Sequence, residues 1–335
     1  MKTKLLLGTN YKKTLFKQIK KEISELRATF NEVPGITFIA CTGHLPLMKY
    51  TIGLHEKAAK ELGFMTRIEA LPHTISNKDI IEVIDRNNKD ESIHAIVLLQ
   101  PVPKHLNALS LLDRIDSKKE IEGFHPVNVL ETLKKGVFGS RYPMCLPTAL
   151  IELFKNEGVE VKAGQEFVFV ADQDFLANPF RSLILRTASA AIVPSDCALT
   201  LVNSEHNNLM EFCCRADFIV VISEKPEFFK PEILKPNVVI VDIYSNLVRE
   251  DAGRKDPNIL IPVIKGGVDT NAVMGIAGKI APCPGGLMPV LLAVLFRNAL
   301  LAFKLSLNTE NIKDQMPGIH PYNEIALNTE SWKLT

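Results

Sequence analysis

"GITFIACTG", residues 35–43, is a short apolar run rich in β-branched and small residues and closed at each end by glycine. That is the composition of a strand buried on both faces. A helical pattern follows through "HEKAAKELG", residues 55–63, with Gly63 placed to stop it as a left-handed cap. "MTRIEALP", residues 65–72, then reads as a second strand. Strand, helix and strand in that order form the repeating unit of a parallel α/β sheet.

The same alternation extends in both directions. Upstream, Leu15, Ile19, Ile23 and Leu26 recur at helical spacing within residues 14–30. Downstream, "NKDIIEVIDRNN" (77–88) predicts a helix with Asn77 as its N-cap, and "IHAIVLLQPVP" (93–103) a third strand ended by its prolines. After "PTALIELFKNEG" (147–158), a helix closed by Gly158, the pattern restarts. Strands at 166–173, 198–204, 216–223 and 237–245, with helices at 179–190 and 207–215 between them, follow a Rossmann-like order. The fold class is therefore α/β and two-lobed: an N-terminal α/β domain and a Rossmann-like, doubly wound parallel-sheet domain, with a cleft between them. The boundaries read as 1–146 plus 287–305 for the first domain, 147–286 for the second, and 306–335 for a polar tail. "LMPVLLAVLFRNALLAFKL" (287–305) is apolar on most faces and is expected to be buried.

Composition narrows the function classes. Of 335 residues, 46% are hydrophobic and 23% charged, with a net charge of +1. Neither nucleic acid nor an anionic membrane is an expected partner. The six cysteines contain no C-x-x-C pair, so no metal is expected. No apolar stretch is read as long enough to span a membrane, and the N-terminal apolar run is too short for a signal peptide. A soluble, cytoplasmic protein is expected, with a mitochondrial location open if the chain is a processed form.

Four stretches fall where an α/β protein places ligands, beyond strand ends: "LLQPVPKHL", "KEIEGFHPVN", "VADQDFLANPF" and "IAPCPGGLMP". Each alone reads as a turn; "ANPF" also reads as a helix start, with Asn178 as cap and Pro179 at the first helical position. In this order they resemble the bifunctional methylenetetrahydrofolate dehydrogenase/cyclohydrolases. "KEIEGFHPVN" (119–128) is similar to K-D-V-D-G-F-H-P-x-N, "LLQPVPKHL" to V-Q-L-P-L-P-K-H, "MCLP" to P-C-T-P, and "IAPCPGGLMP" to T-P-V-P-G-G-V-G-P.

The resemblance implies a tetrahydrofolate derivative as substrate, a homodimer, and roles for particular residues. Glu122 stands where the family's aspartate binds the pterin, and a carboxylate suits that ring because it accepts two parallel N–H bonds. Phe124, His125 and Pro126 would shape the loop. Pro284, Gly285 and Gly286 would line the substrate cleft. His55 stands where the family has its catalytic lysine, and two readings remain: a modified acid–base group, or a helix histidine without chemistry. Thr51 holds the family's tyrosine position, with Tyr50 one residue early. Gln100 is one residue late for the family's glutamine, which Leu99 replaces. At the nucleotide site Asp172 replaces an arginine and Gln173 follows it, while Ser204 matches a family serine. Asp172 sets a like charge beside a ribose 2′-phosphate, so NADP is not expected and NAD stays open. Glu224 and Tyr244 stand in place of strand-end glycines. An enzyme with altered or partial activity and an inactive ligand-binding scaffold are both compatible with these departures.

Overall fold

The structure is a computed structural model that describes residues 2–43, 45–136, 139–172, 196–252 and 260–307. Gln173, Asn178 and Pro179, the helix expected at 179–190, and the tail beyond 307 lie outside the described residues. The chain forms two compact units, one of Lys17–Met144 with the chain from Leu295, the other of Met1–Phe16 with Cys145–Val294.

In the first unit, strand β2 (Gly35–Thr42) lies between β3 (Met65–Pro72) and β4 (Ala95–Leu98), and both pairings are parallel. Ile36, Phe38, Ile39 and Ala40 are fully buried, as the central strand of a parallel sheet requires. Helix α1 (Thr9–Phe30) starts earlier than the periodicity predicts. Helix α2 (Leu47–Leu62) ends as expected: Gly63 has φ 94° and its N–H donates to the carbonyls of Ala59 and Lys60. Helix α3 (Asn77–Lys89) corrects one expectation, because its N-cap is Ser76, whose side chain accepts from the Asp79 N–H at 3.1 Å. Both residues can cap; Ser76 holds the extended backbone a cap needs, whereas Asn77 is already helical. Helices α4 (Ala108–Arg114) and α5 (Pro126–Lys135) complete the unit before α6 (Cys145–Glu157) opens the next.

The second unit holds a six-stranded parallel sheet in the order β1-β11-β8-β7-β5-β6. These strands are β1 (Lys4–Leu5), β5 (Glu166–Ala171), β6 (Ala198–Val202), β7 (Phe218–Ile222), β8 (Val239–Asp242) and β11 (Lys279–Ala281). The chain moves from β5 outward to β6 and then returns to β7 on the other side, the reversal that defines the switch point of a doubly wound sheet. Val168, Val170, Ile219, Val221, Ile240 and Ile280 share its core with short helices α7 (Leu209–Arg215) and α8 (Thr270–Val273). A separate antiparallel ribbon joins β9 (Asn246–Ala252) to β10 (Leu260–Lys265). Residues 1–16, expected with the N-terminal domain, cluster with this unit because β1 adds a strand beside β11. No local signal reveals a two-residue strand whose partner is so distant in sequence.

Helix α9 (Leu287–Ser306) corrects the reading that no stretch reaches membrane-span length: it is long and apolar enough by that measure, yet most of it is buried inside the fold. A core helix satisfies the same composition test.

Candidate functional site

The loop at residues 119–125 is built around one buried acid. The Ile96 N–H donates to Lys119 O at 2.8 Å, and Ile96 bridges Glu120 in parallel fashion, so the loop enters as an extra edge beside β4. The Lys119 ammonium donates to the carbonyls of Asn88 (2.7 Å), Asp90 (2.8 Å) and Asn87 (3.2 Å), closing the carboxyl end of α3. The Glu120 carboxylate accepts backbone N–H groups from Glu122 (2.8 Å), Gly123 (3.1 and 3.2 Å) and His125 (2.9 Å). Gly123 has φ 85°, and a Cβ there would meet the Met144 nitrogen at 2.6 Å, so only glycine fits. His125 caps α5 by accepting the Val127 N–H on Nδ1, with Pro126 at the first turn.

Glu122 is the acid this loop leaves open. Its Oε2 is sealed from solvent and has no hydrogen-bond partner. Burial, reinforced by the charge of Glu120, pushes its pKa up to about 8. A buried polar atom without a partner is costly, and a ligand that donates to it removes the cost.

Helix α2 carries two of the expected site residues. His55 Nδ1 lies 2.8 Å from the Thr51 carbonyl, and its ring packs at 5.3 Å from Phe38 of β2. Burial lowers its pKa, with the Thr51 bond working in the opposite direction. A carbonyl only accepts, so Nδ1 carries the proton and Nε2 the lone pair of the neutral ring. The Tyr50 hydroxyl is buried without a partner, beneath Lys49 whose Nζ sits 4.7 Å from the ring centre. Tyr50 and His55 project roughly 140° apart around the helix at 3.6 residues per turn, so α2 does not bring them onto one face. Thr51 shares the face of His55, but its hydroxyl donates to Leu47 O at 3.2 Å.

Gln100 follows the end of β4, and its amide folds onto local backbone. Nε2 donates to Leu98 O at 3.3 Å and Oε1 accepts the Val102 N–H at 3.2 Å. Leu99, at the glutamine position of the resemblance, is buried.

In the sheet of the second unit, Asp172 follows β5 at the switch point. One of its carboxylate oxygens accepts the Ser204 N–H at 2.8 Å, and the other the Ser223 hydroxyl beyond β7. Burial raises the Asp172 carboxyl, but these bonds and the Lys225 charge overcome it and hold the pKa below the usual range. Lys225 also pairs with Glu205 at 2.8 Å, and Tyr244 donates to Glu224 at 3.2 Å. The exits of β5, β6, β7 and β8 are thus tied together by side chains. Pro284, Gly285 and Gly286 belong to this unit as well. The carbonyls of Gly285 and Gly286 both accept the Gly8 N–H at 3.1 Å, and a Cβ on Gly286 would meet Pro282 O at 2.7 Å. Among the described residues no cluster of His, Cys, Asp or Glu could hold a metal, and the six cysteines are free.

Sequence reasoning missed Glu120, Ser223 and Asn298. The last had a signal: a lone amide within the apolar α9 must be hydrogen-bonded if buried, and its Nδ2 donates to Ile121 O (2.9 Å) and Pro143 O (3.3 Å).

A parallel sheet with a dinucleotide-type switch point, coupled in one chain to a three-stranded α/β unit with a buried open acid, defines a two-unit α/β protein with a Rossmann-like domain. The first part of the chain, residues 6–122, matches the tetrahydrofolate dehydrogenase/cyclohydrolase catalytic domain, and residues 144–307 match the NAD(P)-binding domain of the same family. The chain belongs to the tetrahydrofolate dehydrogenase/cyclohydrolase family. It is 35% identical over 309 residues to the bifunctional protein FolD of Desulfosudis oleivorans, covering 92% of this chain and 100% of that one. The fold is also that of the methylenetetrahydrofolate dehydrogenase-cyclohydrolase of Trypanosoma brucei, solved with NADP and inhibitor (TM-score 0.79, 24% identity, 92% of this chain and 99% of that one). The NAD-dependent methylenetetrahydrofolate dehydrogenase of Saccharomyces cerevisiae shares it too (TM-score 0.66, 16% identity, 94% and 99%).

Proposed function

We propose that this chain binds a reduced folate through its N-terminal unit and interconverts its one-carbon states, with His55 in the place of the family's lysine. The observation that carries the reading is Glu122, whose buried Oε2 lacks any donor. The amino group and ring N–H of a pterin supply two donors in the geometry a carboxylate accepts. The unpartnered Tyr50 hydroxyl adds a second group in the same unit that a ligand would satisfy. His55, neutral with its lone pair on Nε2, supplies a base for proton removal. Thr51 fixes its tautomer; it has no charge to lend a developing anion, so the chemistry differs in kind from that of an ammonium.

The second unit supplies the NAD(P)-binding domain. The dinucleotide it takes in preference is NAD. Asp172 places a carboxylate at the exit of β5 where the resemblance has an arginine, and an acid there suits a ribose diol better than a 2′-phosphate, while Glu205 beside it is paired with Lys225. The two solved neighbours show that this fold serves either dinucleotide, so local charge makes the choice.

A second reading, a folate-binding scaffold without turnover, draws on the Tyr244–Glu224 contact, which fills a strand end where the resemblance has glycines. One experiment separates the two: tetrahydrofolate binding by calorimetry, followed by turnover of methylenetetrahydrofolate with NAD and with NADP. Binding with turnover that His55→Ala abolishes supports the enzyme. Binding without turnover supports the scaffold, and absence of binding defeats both.

A further inference from the structure

We propose that Glu120 is a positioning residue for Glu122: it fixes the backbone from which that side chain projects and holds a negative charge against it. This rests on the reading of Glu122 as the ligand-binding acid.

The two acids stand two residues apart in one loop and have opposite fates. Glu120 is 1% exposed, and every hydrogen bond to it comes from an N–H. Three of the donors are the backbone N–H groups of Glu122, Gly123 and His125, which curl around the carboxylate; the fourth donor is the Asn128 side-chain amide at 3.2 Å. Asn128 Nδ2 also donates to the carbonyls of Glu120 and Ser117, each at 3.0 Å, and so joins the loop to the first turn of α5. From another side, Asn298 of α9 holds the Ile121 carbonyl at 2.9 Å. With Gly123 pressed against Met144, the backbone of residue 122 is held by its neighbours on both sides. Its side chain alone is left without an internal partner at Oε2.

Donors on both oxygens favour the ionised form of Glu120. Burial is the larger influence and leaves its pKa raised, although the His125 N–H, the Asn128 amide and the Glu122 N–H act against that rise. The imidazole of His125 and the neutral amide of Asn128 act on Glu120, and the Lys119 ammonium of the same loop is turned to the carbonyls at the end of α3. Among the described residues, the charge that acts on Glu122 is that of Glu120. Glu120 therefore has two separable effects: it sets the direction of Glu122 and, in its ionised form, it adds to burial in favouring the protonated form of the open site.

The test is calorimetric titration of tetrahydrofolate into the intact protein between about pH 6 and pH 9.5, a range that brackets a raised carboxyl. Glu120→Gln removes the charge at constant size. Its affinity on the high-pH plateau is expected to fall roughly tenfold, as for loss of one well-oriented charge-assisted hydrogen bond, and the midpoint of its pH profile to move to lower pH. Glu120→Asp keeps the charge on a shorter arm, so the midpoint stays and part of the affinity is lost. If the glutamine variant does not fold, the aspartate variant decides: wild-type affinity with a lower melting temperature means a purely structural role and overturns the proposal. A glutamine variant with unchanged midpoint and plateau affinity overturns it too and leaves the reading of Glu122 standing. A wild-type protein that binds no tetrahydrofolate at any pH overturns both.

Discussion

His55 and Thr51 are joined one helical turn apart on α2, with Nδ1 of the imidazole 2.8 Å from the threonine carbonyl. This bond selects the tautomer whose Nε2 is free to accept a proton. Burial lowers the pKa, so the ring is neutral over a wider range than a solvent-exposed histidine.

His55→Ala is expected to reduce one-carbon turnover by about a hundredfold or more, the usual scale for loss of a positioned base. The ring is also largely buried against Phe38, so the melting temperature should fall as well, and the rates are compared at a temperature where the variant is folded. The wild-type rate should fall with decreasing pH only below the depressed pKa of the imidazole, where the ring becomes charged and the base is lost. A rate still rising steeply through pH 7 and above would show that another group takes the proton.

Tetrahydrofolate affinity should increase with pH. In the free site Glu122 holds a proton up to about pH 8, whereas the pterin requires its carboxylate. Below that midpoint each pH unit should change the dissociation constant by up to about tenfold, and above it the curve should flatten. Calorimetry in two buffers of different ionisation enthalpy should detect the proton released on binding near neutral pH. Glu122→Gln should abolish both the pH dependence and the proton release.

The same carboxyl links stability to pH. Its folded pKa of about 8 lies above the ordinary value of 4.5, so the folded state binds more protons in that window. Stability contributed by the protonated form is complete below the lower value and is lost as pH rises through the upper one. The melting temperature of the unliganded protein should decline between these limits, and Glu122→Gln should flatten the decline.

Asp172→Asn should narrow the preference for NAD over NADP. Thermal shift of the wild-type protein should be larger with NAD than with NADP at equal concentration, since a ligand that binds the native state raises the melting temperature. The asparagine variant retains an acceptor for Ser204 or Ser223 but loses the charge. A larger shift with NADP in the wild type would reject the charge argument.

Gly123→Ala should destabilise the fold by about 2 kcal/mol or more, because the new methyl meets backbone rather than a side chain that could move aside. A denaturant melt measures the loss, and tetrahydrofolate affinity should fall with it because the same backbone carries Glu122.

Much of the architecture was legible in short windows. The β-branched run at residues 35–42 and the glycine at 63 specify strand and helix stop by local sterics. The repetition of such windows carried the parallel α/β class. Glu122, the acid whose buried Oε2 has no donor, was singled out through its motif. Its difference from Glu120 was not legible there: two glutamates with the same side-chain chemistry, two positions apart, are told apart only by which one the folded backbone surrounds with N–H groups.

Other features depended on partners far along the chain. Asp172 read as a bare negative charge, yet tertiary contact supplies Ser223 from just beyond β7, 51 positions away, and ties the acid into the switch point. Strand β1 had no signature of its own until β11 came beside it. Local conformational preference is written in neighbouring residues and can be read from them. Whether a polar group is satisfied or left open depends on atoms that only the folded chain brings within hydrogen-bonding reach, and that decides which residues are free to meet a ligand.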